Sequence, residues 1–254
     1  MISFRHVTKM FGPKCVLNDF SIEVRKGETL CLVGMSGAGK SVTLKHMVGL
    51  LRPTSGEILI AGEPIQDMDS KGLGKVRARF GYLFQSGALL QWLSVGENVA
   101  LPLREHTKMS DDEIEKLVRA TLAQVGMEEA FEKLPANISG GMMKRAGLAR
   151  AIVTKPEIIL YDEPTSGLDP VISRTIDELI RRLQAELGVT SVVVTHDMIS
   201  ALTVGDRIAM LDKGAVVEAS EPEQFLHSKN PVVRDFLDSQ HIGPDFFKEM
   251  ENFK

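Results

Sequence analysis

Apolar and polar positions alternate from Ile2 to Val7 and again from Ser21 to Val24, the period of strands with one buried face. A loop-like stretch around Gly12 and Pro13 separates them. Thr29 to Val33 (TLCLV) is a short continuous apolar run, which predicts a strand buried on both faces. A glycine-rich turn follows, then a helical segment from about Gly39 to Leu50, a turn at Arg52 to Gly56, and a resumed strand from Glu57 to Ile60. From about Asp69 to Leu134 the pattern is mostly helical. Within it, Ser110 is a suitable N-cap for a helix that opens on Asp111, Asp112 and Glu113, acids that suit the positive end of a helix dipole. Another helix, after Gly140, carries Met143, Ala146, Leu148, Ala149 and Ile152.

Strand signals return at Glu157 to Tyr161 and at Ser191 to Thr195, with a helix rich in Ile and Leu between them, about Val171 to Leu187. Strand, helix, strand alternation predicts a parallel sheet with crossover helices. Residues 208–219 read as a hairpin around Lys213 and Gly214. The tail from Pro231 to Lys254 mixes polar residues with Phe236, Phe246, Phe247 and Phe253, the composition of a surface helix or of an arm that touches another subunit.

Composition narrows the classes without choosing among them. A chain of 254 residues allows one large domain or two small ones. Lys and Arg number 30 against 34 Asp and Glu, so the net charge of −4 gives no global attraction to nucleic acid. Cys15 and Cys31 read as reduced thiols in or near the core, and no metal-ligand spacing occurs. No apolar run approaches the roughly 20 residues that span a bilayer, and the first residues lack the apolar stretch of a signal peptide. The expectation is a cytosolic chain, with any membrane portion supplied by other subunits.

Gly34 to Ser41 reads GMSGAGKS, which fits G-x-x-x-x-G-K-[ST] and sits between a strand and a helix as that motif requires. Glycines let backbone N–H groups wrap a phosphate closely, and the helix N-terminus adds partial positive charge. Lys40 is expected at the β- and γ-phosphates and the Ser41 hydroxyl at Mg²⁺. The apolar run from Ile158 to Tyr161 ends in Asp162 and Glu163. Charge at the tip of a buried strand is costly unless it has a partner or a task. Asp162 is placed to hold hydrated Mg²⁺, and Glu163 to polarise a water for in-line attack on the γ-phosphate.

The segment Ile138-Ser139-Gly140-Gly141-Met142, followed by MKRAGLARAI and then by the acidic strand, resembles the signature of ABC ATPases. In the same order, Phe11 resembles the residue that stacks on adenine, and Gln85, after YLF, resembles the Q-loop glutamine that senses Mg²⁺ and the attacking water. Ser166-Gly167-Leu168-Asp169 resembles the D-loop, and His196 resembles the switch histidine. The resemblance covers about residues 1–225. It implies an α/β P-loop NTPase of ABC type, with a mostly parallel central sheet, an N-terminal antiparallel β subdomain and an inserted helical subdomain at about 86–155. The ATPase domain would occupy 1–230 and the tail 231–254 would be a possible subunit contact.

The resemblance also implies a head-to-tail homodimer. ATP would lie between one copy's Phe11, Gly34, Ser36, Gly37, Ala38, Gly39, Lys40, Ser41 and Val42 and the other copy's Ser139, Gly140 and Gly141, with Mg²⁺ near Ser41, Gln85 and Asp162. Glu163, His196, Gln85 and Lys40 would carry catalysis. Two positions depart from the family pattern: Val42 stands where threonine is frequent, and Met142 where glutamine is usual.

The apolar stretch with Leu89, Leu90, Trp92 and Leu93 suits a protein contact, and the family places a membrane subunit's cytoplasmic helix beside Gln85. Together with GKSV and ISGGM, that stretch is similar to the ATPases of Mce-type lipid transporters. This similarity implies a permease, an MCE-domain protein, a small STAS-domain protein in some systems, and a position on the cytoplasmic face of the inner membrane. An importer ATPase for a small polar solute such as an amino acid is the alternative. A non-transport ABC ATPase acting on nucleic acid or ribosomes is more remote, since no sustained heptads and only one ATPase unit occur.

Overall fold

In the computed structural model, which describes residues 1–251, the first two strands run longer than the alternation predicts. β1 (Ile2–Phe11) and β2 (Lys14–Val24) form one hairpin around Gly12 and Pro13, so the stretch read as a loop is only the turn. Register shifts between Phe4 and Met10, with His6 and Asp19 at positive φ, interrupt the two-residue period and hid the outer halves of both strands. β3 (Thr29–Val33) follows, then α1 (Lys40–Met47), β4 (Ser55–Ile60), the short β5 (Glu63–Pro64) and α2 (Ser70–Arg77). β6 (Phe80–Leu83) is a strand inside the stretch predicted to be mostly helical. It forms there because it pairs in parallel with β7 (Ile158–Asp162), far along the chain, a tertiary contact that local periodicity does not carry.

The helical subdomain comprises α3 (Val95–His106), α4 (Asp111–Gln124) and α5 (Gly140–Ile152). Ser94 and Ser110 each form a reciprocal capping box, with Glu97 and Glu113 respectively. After β7 come α6 (Pro170–Leu187), β8 (Thr190–Val194), α7 (Met198–Val204) and the hairpin of β9 (Arg207–Asp212) and β10 (Ala215–Ser220). α8 (Pro222–Leu226), α9 (Pro231–Ser239) and α10 (Phe246–Glu251) end the described chain, and Phe253 lies outside the described residues.

Two sheets result. One is antiparallel, in the order β2-β1-β4-β5. The other has the order β10-β9-β3-β8-β7-β6 and is parallel except for the β10–β9 edge. Alternate side chains of the parallel strands feed two cores. Leu30, Leu32, Leu160 and Val194 pack with Phe4, Phe20 and Ile58 of the antiparallel sheet. Cys31, Val33, Tyr161 and Val193 pack with the helices. Burial on both faces is the reason TLCLV carries no alternation. Cys31 is fully buried, which pushes its thiol well above the ordinary range, whereas Cys15 stands exposed on the outer hairpin rather than near the core. The first part of the tail also differs from a free arm: Val233, Phe236 and Leu237 of α9 are buried in the chain's own helical-side core, so residue 230 is no packing boundary.

α6 is the long amphipathic helix expected near 171–187, capped by Asp169 at its start and ended by Gly188 in the left-handed region. Its buried face includes one acid. Asp177 is 3% exposed and accepts a 2.5 Å hydrogen bond from Ser200 Oγ on α7. Burial raises its pKa from 3.8 to about 7; the Ser200 bond opposes that rise, and Asp197 and Glu178 add to it. The folded state therefore keeps a proton that the unfolded chain releases, and stability falls as pH rises from about 4 to about 7. Asp177→Asn should remove this fall. Urea midpoints measured from pH 5 to 8 should be flatter than for the wild type, with the gain in stability largest at pH 8.

Candidate functional site

The carboxyl ends of β3, β7 and β8 open on one edge of the parallel sheet, and the functional side chains follow directly after them. After β3 the chain turns at Gly34, whose φ is +151° and where an added Cβ would lie 2.3 Å from the Leu211 carbonyl oxygen. Only glycine fits that approach, and it lets the loop begin at the sheet edge. Gly37 and Gly39 also have positive φ, and α1 starts at Lys40 with no side-chain cap. Lys40 is 8% exposed, and its Nζ donates to Gly34 O at 2.7 Å and Met35 O at 3.1 Å. Burial lowers its pKa, while Glu163 and Asp162 draw it back up.

The acidic tip of β7 faces this loop. Ser41 Oγ donates to Asp162 Oδ1 at 3.2 Å, and Tyr82 OH approaches Asp162 Oδ2 at 3.4 Å. Burial and the neighbouring carboxylate hold the Tyr82 phenol well above its usual range. Glu163 has φ of +51°, unusual for a residue with a side chain. Its N–H donates to Val194 O at 2.9 Å, and its Oε2 lies 2.8 Å from His196 Nδ1. Gln85 Nε2 donates to Ser166 Oγ at 3.3 Å, which joins the segment after β6 to the segment after β7.

A cleft of about 950 Å³ is lined by residues 35–37 and 39–42 together with Gln85, Glu163 and His196. Of the expected site the cleft gathers Ser36, Gly37, Gly39, Lys40, Ser41, Val42, Gln85, Glu163 and His196; Gly34 and Ala38 are not in its lining, and Asp162 meets it through Ser41 Oγ. Phe11 is 43% exposed at the hairpin end, with Lys9 Nζ 5.1 Å over its ring; its pairing partner Lys14 lines the cleft, but Phe11 does not. Ser139, Gly140 and Gly141 do not line it either. Ser139 caps α5 by accepting from Met142 N at 3.3 Å, and Gly141 packs so close to Ile172 that a Cβ there would meet its Cγ2 at 2.6 Å. Residues 166–168 lie over a separate cavity of about 320 Å³ whose lining includes Asp177 and His196. Asp169 accepts from Val171 N and Ile172 N, both at 3.0 Å, as the cap of α6. Trp92 is 75% exposed, while Leu89 of the same stretch is buried.

Two participants were not found in the sequence. Lys144, on α5, donates from Nζ to Gln85 O and, at 2.8 Å, to Glu163 O. The available signal was a lysine at helical spacing between Gly141 and Leu148, both buried. Gln240, just past α9, lines the cleft with Phe236 and Ser239. Its Nε2 donates to His196 O at 2.9 Å and its Oε1 accepts from Met198 N at 3.0 Å. That second bond satisfies a first-turn N–H of α7 that has no partner within its own helix. No local pattern marks it. Gln240→Ala should therefore expose the Met198 amide. Its hydrogen exchange should quicken about tenfold, the worth of one net hydrogen bond, while amides in β3 stay unchanged.

Chemically, the loop offers backbone donors, a lysine and a helix N-terminus to phosphate, with a carboxylate and a polarising imidazole opposite. Among the described residues no group of three or more His, Cys, Asp or Glu could by itself hold a metal. Ser41 and Asp162 instead form a small hard-oxygen set of the kind that suits Mg²⁺ carrying phosphate and water ligands of its own.

Comparison with known proteins agrees with this geometry. Residues 17–166 match the family described as ABC transporter. The chain is 45% identical to the probable ribonucleotide transport ATP-binding protein mkl of Mycobacterium leprae, over 96% of this chain and 70% of that one. It is 38% identical to the intermembrane phospholipid transport system ATP-binding protein MlaF of Haemophilus influenzae, over 98% of this chain and 94% of that one. Among solved structures, the dimeric structure of MJ0796, a bacterial ABC transporter cassette, superposes with a TM-score of 0.81 at 35% identity, over 87% of this chain and 99% of that chain.

Proposed function

This chain belongs to the ABC transporter family, and we propose that it powers the movement of phospholipid or a related lipid between membranes. It is an ATPase whose hydrolysis is coupled to transport. The observation that carries the lipid reading is near end-to-end similarity, 98% of one chain and 94% of the other, to a protein named for intermembrane phospholipid transport. The cargo path belongs to other chains. No helix among the described residues is long and apolar enough to cross a membrane. In this reading the partners are a permease, an MCE-domain protein and, in some assemblies, a STAS-domain protein. The ATPase sits on the cytoplasmic face of the inner membrane, and the exposed Trp92 and Phe84 beside Gln85 receive the permease.

Each nucleotide is shared between two copies. The phosphates lie on residues 34–42, with Lys40 compensating their charge and the exposed Phe11 free to meet the base. Ser41 and Asp162, with Gln85 beside them, would hold Mg²⁺, which offsets charge on the β- and γ-phosphates. Glu163 accepts a proton from the attacking water, and His196, 2.8 Å away, fixes the carboxylate's orientation. The partner copy's Ser139, Gly140 and Gly141 close the site as a second helix N-terminus aimed at phosphate. Two observations support this division: the turn is outside its own chain's cleft, and a similar cassette is described as dimeric. Residues 166–169 lie between the halves. Binding of ATP then joins the copies and hydrolysis loosens them, a two-state element biased by ligand.

Glu163→Gln should keep ATP affinity, lose turnover by about 10²-fold or more, and accumulate as an ATP-bound dimer in sedimentation; rapid hydrolysis by that variant would remove Glu163 from its role. Ser139→Arg should cut steady-state turnover by about 10²-fold with ATP binding to the separate chain intact; normal turnover would contradict the shared site. The lipid assignment is tested by purifying the chain from membranes with its partners. Bound phospholipid and an MCE-domain protein are expected, whereas a polar-solute receptor would favour an importer.

A further inference from the structure

α5, capped by Ser139 and opening on Gly140 and Gly141, packs against the segment after β6 in its own chain. Gly87 lies so close to α5 that a Cβ there would meet Met143 O at 2.8 Å, and a Cβ on Gly147 would meet Gly87 O at 3.1 Å. Two cations of α5 hold the carbonyls of that neighbouring turn. Arg150 donates to Gly87 O at 2.8 Å and Ala88 O at 2.7 Å, and Lys144 donates to Gln85 O. The same Lys144 ammonium reaches Glu163 O at 2.8 Å.

Lys144 is 4% exposed, and no ion pair among the described residues includes it. Burial lowers its pKa, and the carboxylates of Glu163 and Asp162 resist that change. A cation buried on two carbonyls is costly where a methionine of similar length would fill the same space. Packing alone therefore does not account for it. The groups it joins do. One is the backbone of Gln85, which lines the cleft, and the other is the backbone of Glu163, the carboxylate that the shared-site reading assigns to the attacking water. Helical rise puts Lys144 about 7.5 Å along the axis from Ser139, within one stiff segment.

We propose that Lys144 is a positioning residue that ties the Ser139–Gly141 turn, and through it the nucleotide held by the partner copy, to Gln85 and Glu163 of its own chain. The proposal rests on the shared-site reading above. When the turn docks on the partner's phosphate, α5 shifts as a rod. The ammonium then carries Gln85 O and Glu163 O with it, so each site becomes competent only when the other is filled.

The test uses the full chain with Mg-ATP. Lys144→Met should bind ATP within twofold of wild type in the Glu163→Gln background and still dimerise. In the otherwise wild-type chain its kcat should fall about tenfold or more at unchanged KM, the cost of a small misplacement of reacting groups. Lys144→Arg, which keeps the charge and the donors, should regain most of the lost rate. In the Glu163→Gln background, ATP should slow hydrogen exchange at the amides of residues 85–88, and Lys144→Met should abolish that slowing without preventing the dimer. If Glu163→Gln alone fails to dimerise with ATP, the shared-site reading falls and this inference with it. If the dimer forms and Lys144→Met retains both the 85–88 protection and turnover within twofold of wild type, the inference alone is overturned. Loss of ATP binding together with turnover would make Lys144 a part of the fold only and also overturns it. Should Lys144→Met not fold, Lys144→Gln, with one uncharged donor, is read by the same criteria.

Discussion

The residue on which the site depends is Glu163, held with φ at +51° where β7 leaves the sheet. A side-chain-bearing residue in that region costs on the order of 1 kcal/mol or more, and it persists only where neighbours over-determine it. Here three do so independently. Val194 O takes its N–H from the adjacent strand, Lys144 takes its carbonyl from α5, and His196 takes its carboxylate from the segment after β8. The strain has a geometric return. A left-handed residue at the strand tip turns the chain sharply, so the carboxylate points along the sheet edge toward the glycine loop. The three contacts come from three different elements, so the position of this carboxylate records the relative placement of the sheet, the helical subdomain and the histidine segment.

That arrangement separates what a linear reading can find from what it cannot. Segments whose chemistry is local were legible. GMSGAGKS between a buried strand and a helix, and the two acids at the end of an apolar strand, carry their own context; in the structure Glu163 lines the cleft with the loop, and Asp162 accepts from Ser41 of that loop. Ser110 caps its helix as its place before three acids implies. Legibility ended where one backbone meets another. β6 is a strand because β7 is beside it, and bulges broke the period of β1 and β2. Gln240 and Lys144 act by gripping main-chain atoms distant in sequence, by 44 and 42 residues for Gln240 and by 59 and 19 for Lys144. Such contacts leave no composition or spacing behind. Lys144 left a faint trace, a charge on a face otherwise buried, and Gln240 left none.

The same logic bears on the tail. Read as a string, four phenylalanines in a polar segment suggest an outward contact. Phe236 instead packs into the chain's own core and lines the cleft, and Gln240 bridges residues 196 and 198 from the outside. The histidine segment is thereby fastened at both ends of its short turn: Asp197 caps α7 from within, and Gln240 caps it from the far end of the chain. The His196 side chain is 63% exposed; its backbone is held by Gln240, and its ring Nδ1 lies 2.8 Å from Glu163 Oε2.

The two departures from the family pattern can be weighed in the same terms. Val42 lines the cleft and offers no hydroxyl. Thr43 cannot replace it, because that residue is fully buried and its Oγ1 donates to Gly39 O at 3.2 Å. The phosphate contact that a hydroxyl at position 42 would make must come instead from the main chain, which α1 already presents at its uncapped N-terminus. Met142 is different in kind. Its N–H is the donor that Ser139 accepts as cap, a backbone function indifferent to the side chain, while the side chain packs against the helical-side core. A thioether there packs the first turn of α5 against apolar neighbours. The side chain thus ties the segment that carries Ser139, Gly140 and Gly141 to the helical-side core, on the same helix that carries Lys144.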